Sequence, residues 1–407
     1  MSRMNAMVRG TLLLGVAATV FACTSDADVL GPHVVDNLFL NYVALGNSIT
    51  AGFQSDGIND STQRQAYPRL LAQQMGTRYA FPSLAMPGCR PPINNFQTQT
   101  RVTLPGQPPS TATTCALRAP AGVTASLNNV AVPGIQTADP TAVVGPDSSA
   151  LTMLFLGGET MVQKALDSRP TFATIWVGNN DVLAPAISGM PAGATPQATF
   201  VQNYSRMIGQ FLDGAPGLKG VLIGVVQVAN APVLFTARAL QNPAFVAGLS
   251  VAAGKPILVD PITCTPTTTS LIAIPLIAQI RSGAHPPVIA CAKTPTPPVG
   301  DIFVLDAAEQ LQVKGIIDGY NNYIHAKADS IGFAYYDPNT TLAQLSAIDP
   351  VLGTKVPNLA SPTATFGQFV SLDGIHPTGA AHIRIADDLI TVINAKYGTH
   401  LVQLPTS

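Results

Sequence analysis

The sequence is poor in charge. Lys, Arg, Asp and Glu make up 11% of its 407 residues, against roughly a quarter in an ordinary soluble domain. With 21 basic and 22 acidic side chains the net charge is −1, which excludes a basic nucleic-acid footprint and an acidic interaction tail. Aromatic residues are also scarce, 6% with a single Trp, so any core must be mainly aliphatic. The five cysteines and six histidines include no Cys-x-x-Cys pair and no clustered His spacing, which argues against a metal centre. No cofactor is expected. Beyond the N-terminal region, no uncharged apolar run has the length and continuity of a membrane helix. The polar surface must come mostly from Thr, Ser, Asn and Gln.

The first residues carry a processing signal. Arg3 and Arg9 precede the apolar segment Thr11 to Phe21, which is too short to cross a bilayer and has the length of a signal-peptide core. It runs into Val20-Phe21-Ala22-Cys23, which looks like a bacterial lipobox, with Phe21 where a small residue is usual. This organisation implies a signal over residues 1–22, lipidation of Cys23, a polar tether over 23–40, and one domain over 41–400. An ordinary secretory signal with a coincidental cysteine is the competing reading. The expected location is the cell envelope, lipid-anchored at the outer membrane or periplasmic face, as a monomer.

Cysteine spacing agrees with export. Cys89, Cys115, Cys264 and Cys291 fall into two local pairs, each within a Pro/Thr-rich stretch. In an oxidising compartment the economical pairing is Cys89 with Cys115 and Cys264 with Cys291. Free thiols and the two cross-pairings are the alternatives.

Apolar runs bounded by turn residues alternate with segments of helical spacing. Strands are expected at Tyr42–Gly46, Asn129–Val132, Phe172–Val177, Gly220–Val228 and Phe333–Tyr336. Helices are expected at Gln65–Met75, Leu151–Asp167, Thr199–Leu212, Leu305–Ile331, and from Pro377 to about Tyr397. Alternation of this kind implies a three-layer α/β/α sandwich on a mostly five-stranded parallel sheet. Residues 87–128 and 231–300 break the rhythm and read as loop-rich insertions at the active-site rim. Inside the second, Leu271 to Ala278 is apolar, and packing on the core is favoured over a lid that meets acyl chains.

Four short motifs occur in sequence: Gly46-Asn47-Ser48 at the first strand end, Gly134 after the second strand, Gly178-Asn179-Asn180-Asp181 after the third, and Asp373-Gly374-Ile375-His376 before the last helix. A serine hydroxyl needs a base within hydrogen-bond reach, and that base needs a partner to fix its tautomer. Asp373 and His376, three residues apart, can supply both from one short loop. In this order the motifs resemble the SGNH/GDSL hydrolase family. The resemblance spans Tyr42 to about Tyr397 and implies a flavodoxin-like fold and ester hydrolysis without a cofactor. It further implies Ser48 as nucleophile, His376 as base and Asp373 as acid, with an oxyanion hole from Ser48, Gly134 and Asn180.

Where the family usually has Asp, this chain has Asn47, which can accept the same turn-shaping hydrogen bond. Bland readings exist for each motif. Ser48 would also serve as a helix N-cap, and Asp373 with Pro377 as the entry to the final helix. Asp181 reads as a turn or cap residue, His382 as structural, and Trp176 as core. The same site would suit an esterase or lipase, an acyltransferase or a polysaccharide deacetylase. An inactive hydrolase scaffold that binds lipid or glycan is the rival from another class.

Overall fold

A computed structural model of the chain describes residues 34–115, 126–293 and 303–405. The expected signal, Cys23 and most of the expected tether lie outside these residues. The last residues assigned to the tether are packed: Asn37–Phe39 form a 3₁₀ turn, and buried Phe39 meets the edge of the Phe172 ring.

Each sheet strand is short and apolar. The strands are β1 (Tyr42–Gly46), β2 (Phe172–Trp176), β3 (Lys219–Ile223), β4 (Leu234–Thr236), β5 (Leu258–Val259), β6 (Leu271–Ala273), β7 (Val288–Ile289), β8 (Val304–Leu305) and β9 (Ala334–Tyr336). The central sheet is parallel with the order β1-β2-β3-β9. The segment Asn128–Val132 runs beside the free edge of β1, exchanging backbone hydrogen bonds with Ala44 and Gly46. It holds the place of the expected fifth strand but pairs as an isolated bridge. Pro133 follows it without an N–H to donate, and Gly134 turns the chain away. Counting this segment second gives the flavodoxin-like order 2-1-3-4-5.

Side chains alternate across a strand, so each strand feeds both faces. Val43, Leu45, Ala173, Ile175 and Leu222 pack under helices Met161–Leu166, Gln197–Gly214 and Ala307–Ile331. Tyr42, Ala44, Phe172, Trp176, Val221 and Ile223 pack under helices Tyr67–Met75 and Gly379–Tyr397. Both faces are covered, which is why the strands read as continuous apolar runs. Trp176 belongs to this core, 1% exposed.

One expected helix starts two residues later than Gln65, behind a further short helix, and another is divided in two. Asp60–Gln65 and Tyr67–Met75 are separate, with Ala66 extended between them. Pro68 has no N–H, and its ring would clash with a continuing turn. Leu156 ends one helix because Gly157 takes the left-handed conformation, and Thr160 caps the next, Met161–Leu166.

The second insertion holds more regular structure than its Pro/Thr-rich composition predicts. β4 and β6 pair antiparallel and are joined by β8 just beyond the insertion, β5 and β7 make a parallel pair, and helices Pro243–Ala253 and Pro275–Ser282 cover them. Its strands are two or three residues long, too short to show a period in sequence. Leu271, Ile272, Leu276 and Ile277 are buried, so the apolar segment belongs to a core. That core also takes Ile93 and Phe96 of the first insertion and Phe366, Phe369 and Leu372 beside the Asp373 loop. No helix among the described residues is long and apolar enough to cross a membrane.

Both expected disulfides form, Cys89–Cys115 and Cys264–Cys291. The second spans 27 residues and ties the end of the β5 region to β7. Closing a loop of that length stabilises by roughly 3–4 kcal/mol through the unfolded state. Changing both Cys264 and Cys291 to Ser should therefore lower the melting temperature. It should also speed proteolytic cleavage within residues 231–293 before cleavage elsewhere, as limited proteolysis with mass spectrometry would show.

Candidate active site

The switch point of an open α/β sheet, outside the carboxyl ends of its first and third strands, is where ligand sites form. Here the chain leaves β1 through Asn47 into the short helix Ser48–Ala51, and leaves β2 through Gly178 into helix Asn180–Ile187. Asn47 caps the first of these, its side-chain oxygen accepting from the Ile49 N–H at 3.2 Å. The amide keeps the turn geometry expected of the family's Asp, while its NH₂ is buried with no partner. Ser48 heads the helix, where backbone N–H groups lack intrahelical acceptors.

The Asp373–His376 loop closes over this helix from 328 residues further along the chain. His376 Nε2 lies 2.8 Å from Ser48 Oγ, and His376 Nδ1 lies 2.8 Å from Asp373 Oδ2. Asp373 Oδ1 accepts the N–H groups of Ile375 and His376, each at 2.9 Å, and the Ser371 hydroxyl at 3.2 Å. Burial alone would raise the Asp373 pKa. The His376 ring and the N–H groups of His376 and Asp56 outweigh it and hold the carboxyl at about 2. The Phe53 ring sits 4.9 Å from the imidazole and packs one side of it.

Gly134 and Asn180 border the same cleft as Ser48 and His376, a space of about 570 Å³ whose wall includes Pro133, Leu151, Leu183 and the Cys89–Cys115 bridge. Gly134 has φ +92°, a conformation glycine adopts without strain, and a Cβ there would project into open space. Asn180 Nδ2 donates to the Ile135 carbonyl at 2.8 Å, which fixes its amide plane.

Sequence reasoning placed Asp181 as a cap but missed what it holds. Its carboxylate accepts both the N–H and the hydroxyl of Thr137, at 2.9 and 2.7 Å. Asn180 and Asp181 together bind the Ile135–Thr137 turn that follows Gly134, so the glycine and the amide are set by one joint. Burial raises the Asp181 pKa to about 6 against the Thr137 hydrogen bonds. Two neighbouring polar residues, separated by 44 positions from their partner, leave no local sequence signal. Asn179 turns away from the cleft and accepts the Val226 N–H.

All five residues expected at the site are therefore brought together, and the other histidines among the described residues are not. His382 is fully buried, its Nδ1 accepting the Tyr67 N–H at 3.2 Å, so its proton sits on Nε2. His285, His325 and His400 lie apart, and no group of three or more His, Cys, Asp or Glu among the described residues could hold a metal ion.

A family model described as GDSL-like lipase/acylhydrolase matches residues 42–389, and the chain belongs to that family. Among solved structures, an extracellular lipase from Streptomyces rimosus is similar over 86% of this chain and 98% of its own, at 14% identity and a TM-score of 0.39. No curated protein matches the chain. The family supports ester hydrolase activity in general.

His382 should make stability depend on pH. Burial first, then the neighbouring His376, lowers the His382 pKa to about 3. A depressed folded value means the unfolded chain takes up the proton first. Native stability from a neutral His382 is thus complete above pH 6.5 and is lost as pH falls from there toward 3. Compared with His382→Gln in urea unfolding, the parent should lose close to 1.4 kcal/mol more per pH unit within that window. Parallel curves for the two proteins would refute this.

Proposed function

We propose that the protein is a serine hydrolase of carboxylic esters, an esterase or lipase. The observation that carries this reading is the unbroken line Ser48–His376–Asp373, with both links at 2.8 Å, beside an open cleft. His376 Nε2 takes the Ser48 proton as the oxygen attacks the ester carbonyl, and Asp373 holds the ring and balances the imidazolium. The tetrahedral intermediate then collapses, with His376 returning the proton to the leaving alcohol. Water, activated by the same nitrogen, attacks the acyl-serine, releases the acid and restores the hydroxyl.

The negative oxygen of each intermediate is received by the N–H groups of Ser48 and Gly134 and by the Asn180 amide. Asn180 has one hydrogen committed to Ile135, which leaves the other aimed by the same plane. Donors fixed before reaction cost no reorganisation when charge develops. Lipid attachment at Cys23 after export completes the proposal, and the two disulfides suit an oxidising compartment. The substrate is an ester of a lipid, a glycan or a small molecule.

A fluorophosphonate probe should label the folded parent at Ser48 and leave Ser48→Ala unlabelled. Ser48→Ala should also hydrolyse p-nitrophenyl esters at background rate while its melting temperature stays near the parent's. Asn180→Ala should lose about 10²–10³ in kcat, the usual effect of one missing oxyanion donor. Labelling at another residue, or undiminished turnover by Ser48→Ala, would sink the reading.

A further inference from the structure

Asp373 has a second support that lies outside the Ser-His-Asp line. The N–H of Asp56 donates to Asp373 Oδ2 at 2.8 Å, the same oxygen that faces the His376 ring. Asp56 presents that N–H from an unusual backbone. Ser55 and Asp56 are consecutive non-glycine residues with φ of 53° and 54°. A residue in this conformation persists only where its surroundings determine it.

Those surroundings are residues 89–115. Arg101, with a side chain 7% exposed, grips Asp56 twice: Nη2 meets its carboxylate at 2.6 Å and Nη1 its backbone carbonyl at 3.0 Å. Nη1 also donates to the Pro91 carbonyl at 2.7 Å, so one guanidinium spans the turn and the loop. Arg90 takes the other Asp56 oxygen at 3.1 Å. At Gly57 an added Cβ would lie 2.5 Å from the Arg90 carbonyl, which shows how closely loop and turn approach. The turn is fixed to the acid's own loop as well. Ser55 N–H donates to Ser371 Oγ, and Leu372 N–H to Ser55 Oγ.

We propose that Arg101 is a positioning residue for the hydrolytic site, acting through Asp56 to aim the Asp373 carboxylate at His376. The role rests on the serine-hydrolase reading. A planar fork reaching two atoms of one residue and a third on the facing loop is geometry that only arginine supplies. Asp56 is then not a substrate ligand. Its carboxylate is consumed by two guanidinium groups, and its N–H serves the acid. The disulfide-closed loop thereby becomes part of the orienting machinery.

The test is the kinetics of Arg101→Met on a p-nitrophenyl ester, with melting temperature measured alongside. The expected result is a kcat at least tenfold lower, a KM within twofold of the parent's, and a cooperative melt. In an Asp373→Asn background the same change should slow the enzyme no further, because there is no carboxylate left to aim. A merely structural role would instead give additive losses, and additivity overturns the proposal, as does a kcat within twofold of the parent's. If Arg101→Met does not fold, Arg101→Lys decides by the same two readouts, since it keeps the charge and loses the fork. Should Asp373→Asn and Ser48→Ala themselves leave kcat unchanged, the hydrolase reading has failed rather than the role of Arg101 within it.

Discussion

The carboxylate of Asp373 is the point on which the site depends. It is buried, and an isolated buried carboxylate would take up a proton rather than stay charged. It remains ionised because five donors converge on its two oxygens: the His376 ring, the N–H groups of Ile375, His376 and Asp56, and the Ser371 hydroxyl. Four of these come from residues 371–376, the carboxylate's own loop and its lead-in. The ring's other nitrogen meets Ser48 on the helix after β1, and the Asp56 N–H comes from the turn that Arg101 of the first insertion grips. One charged group therefore ties together three segments distant in sequence.

The same economy governs the opposite wall of the cleft. Asn180 and Asp181 stand side by side at a helix start, yet one faces the cleft and the other anchors Thr137. A single turn thus gives both a donor and the brace for the glycine beside it. The hydrophobic layers below supply rigidity, with the large side chains of Trp176 and Tyr67 buried and packed against each other. Polar groups at the rim can be held to ångström tolerance because interiors this closely packed do not yield.

Much of this was legible in the sequence, and the reason differs by element. Strands β1 and β2 stand out because strands buried on both faces are continuous apolar runs closed by Gly or Asn. Ser48, Gly134 and Asn180 could be read because each follows an apolar run, and Asp373 and His376 because they stand together before the last helix. The break at Gly157 was harder, since apolar spacing continues across it and only the glycine pair marks it, and helix Asp60–Gln65 is too short and polar to show a period. The β4-β6-β8 sheet was invisible, because its pairings are non-local and its strands too short for a period. Arg101 and Asp56 carry no motif. Their contact spans 45 residues through loops whose composition suggests nothing regular.

Chain order has a bearing on when reactivity arises. Ser48 leaves the ribosome 328 residues ahead of His376, and Asp373 only three residues before that histidine. For nearly all of its synthesis the growing polypeptide therefore owns an ordinary alcohol. A fragment cut short anywhere upstream of the final loop lacks both partners that the proposed chemistry gives to Ser48, whatever else it manages to fold.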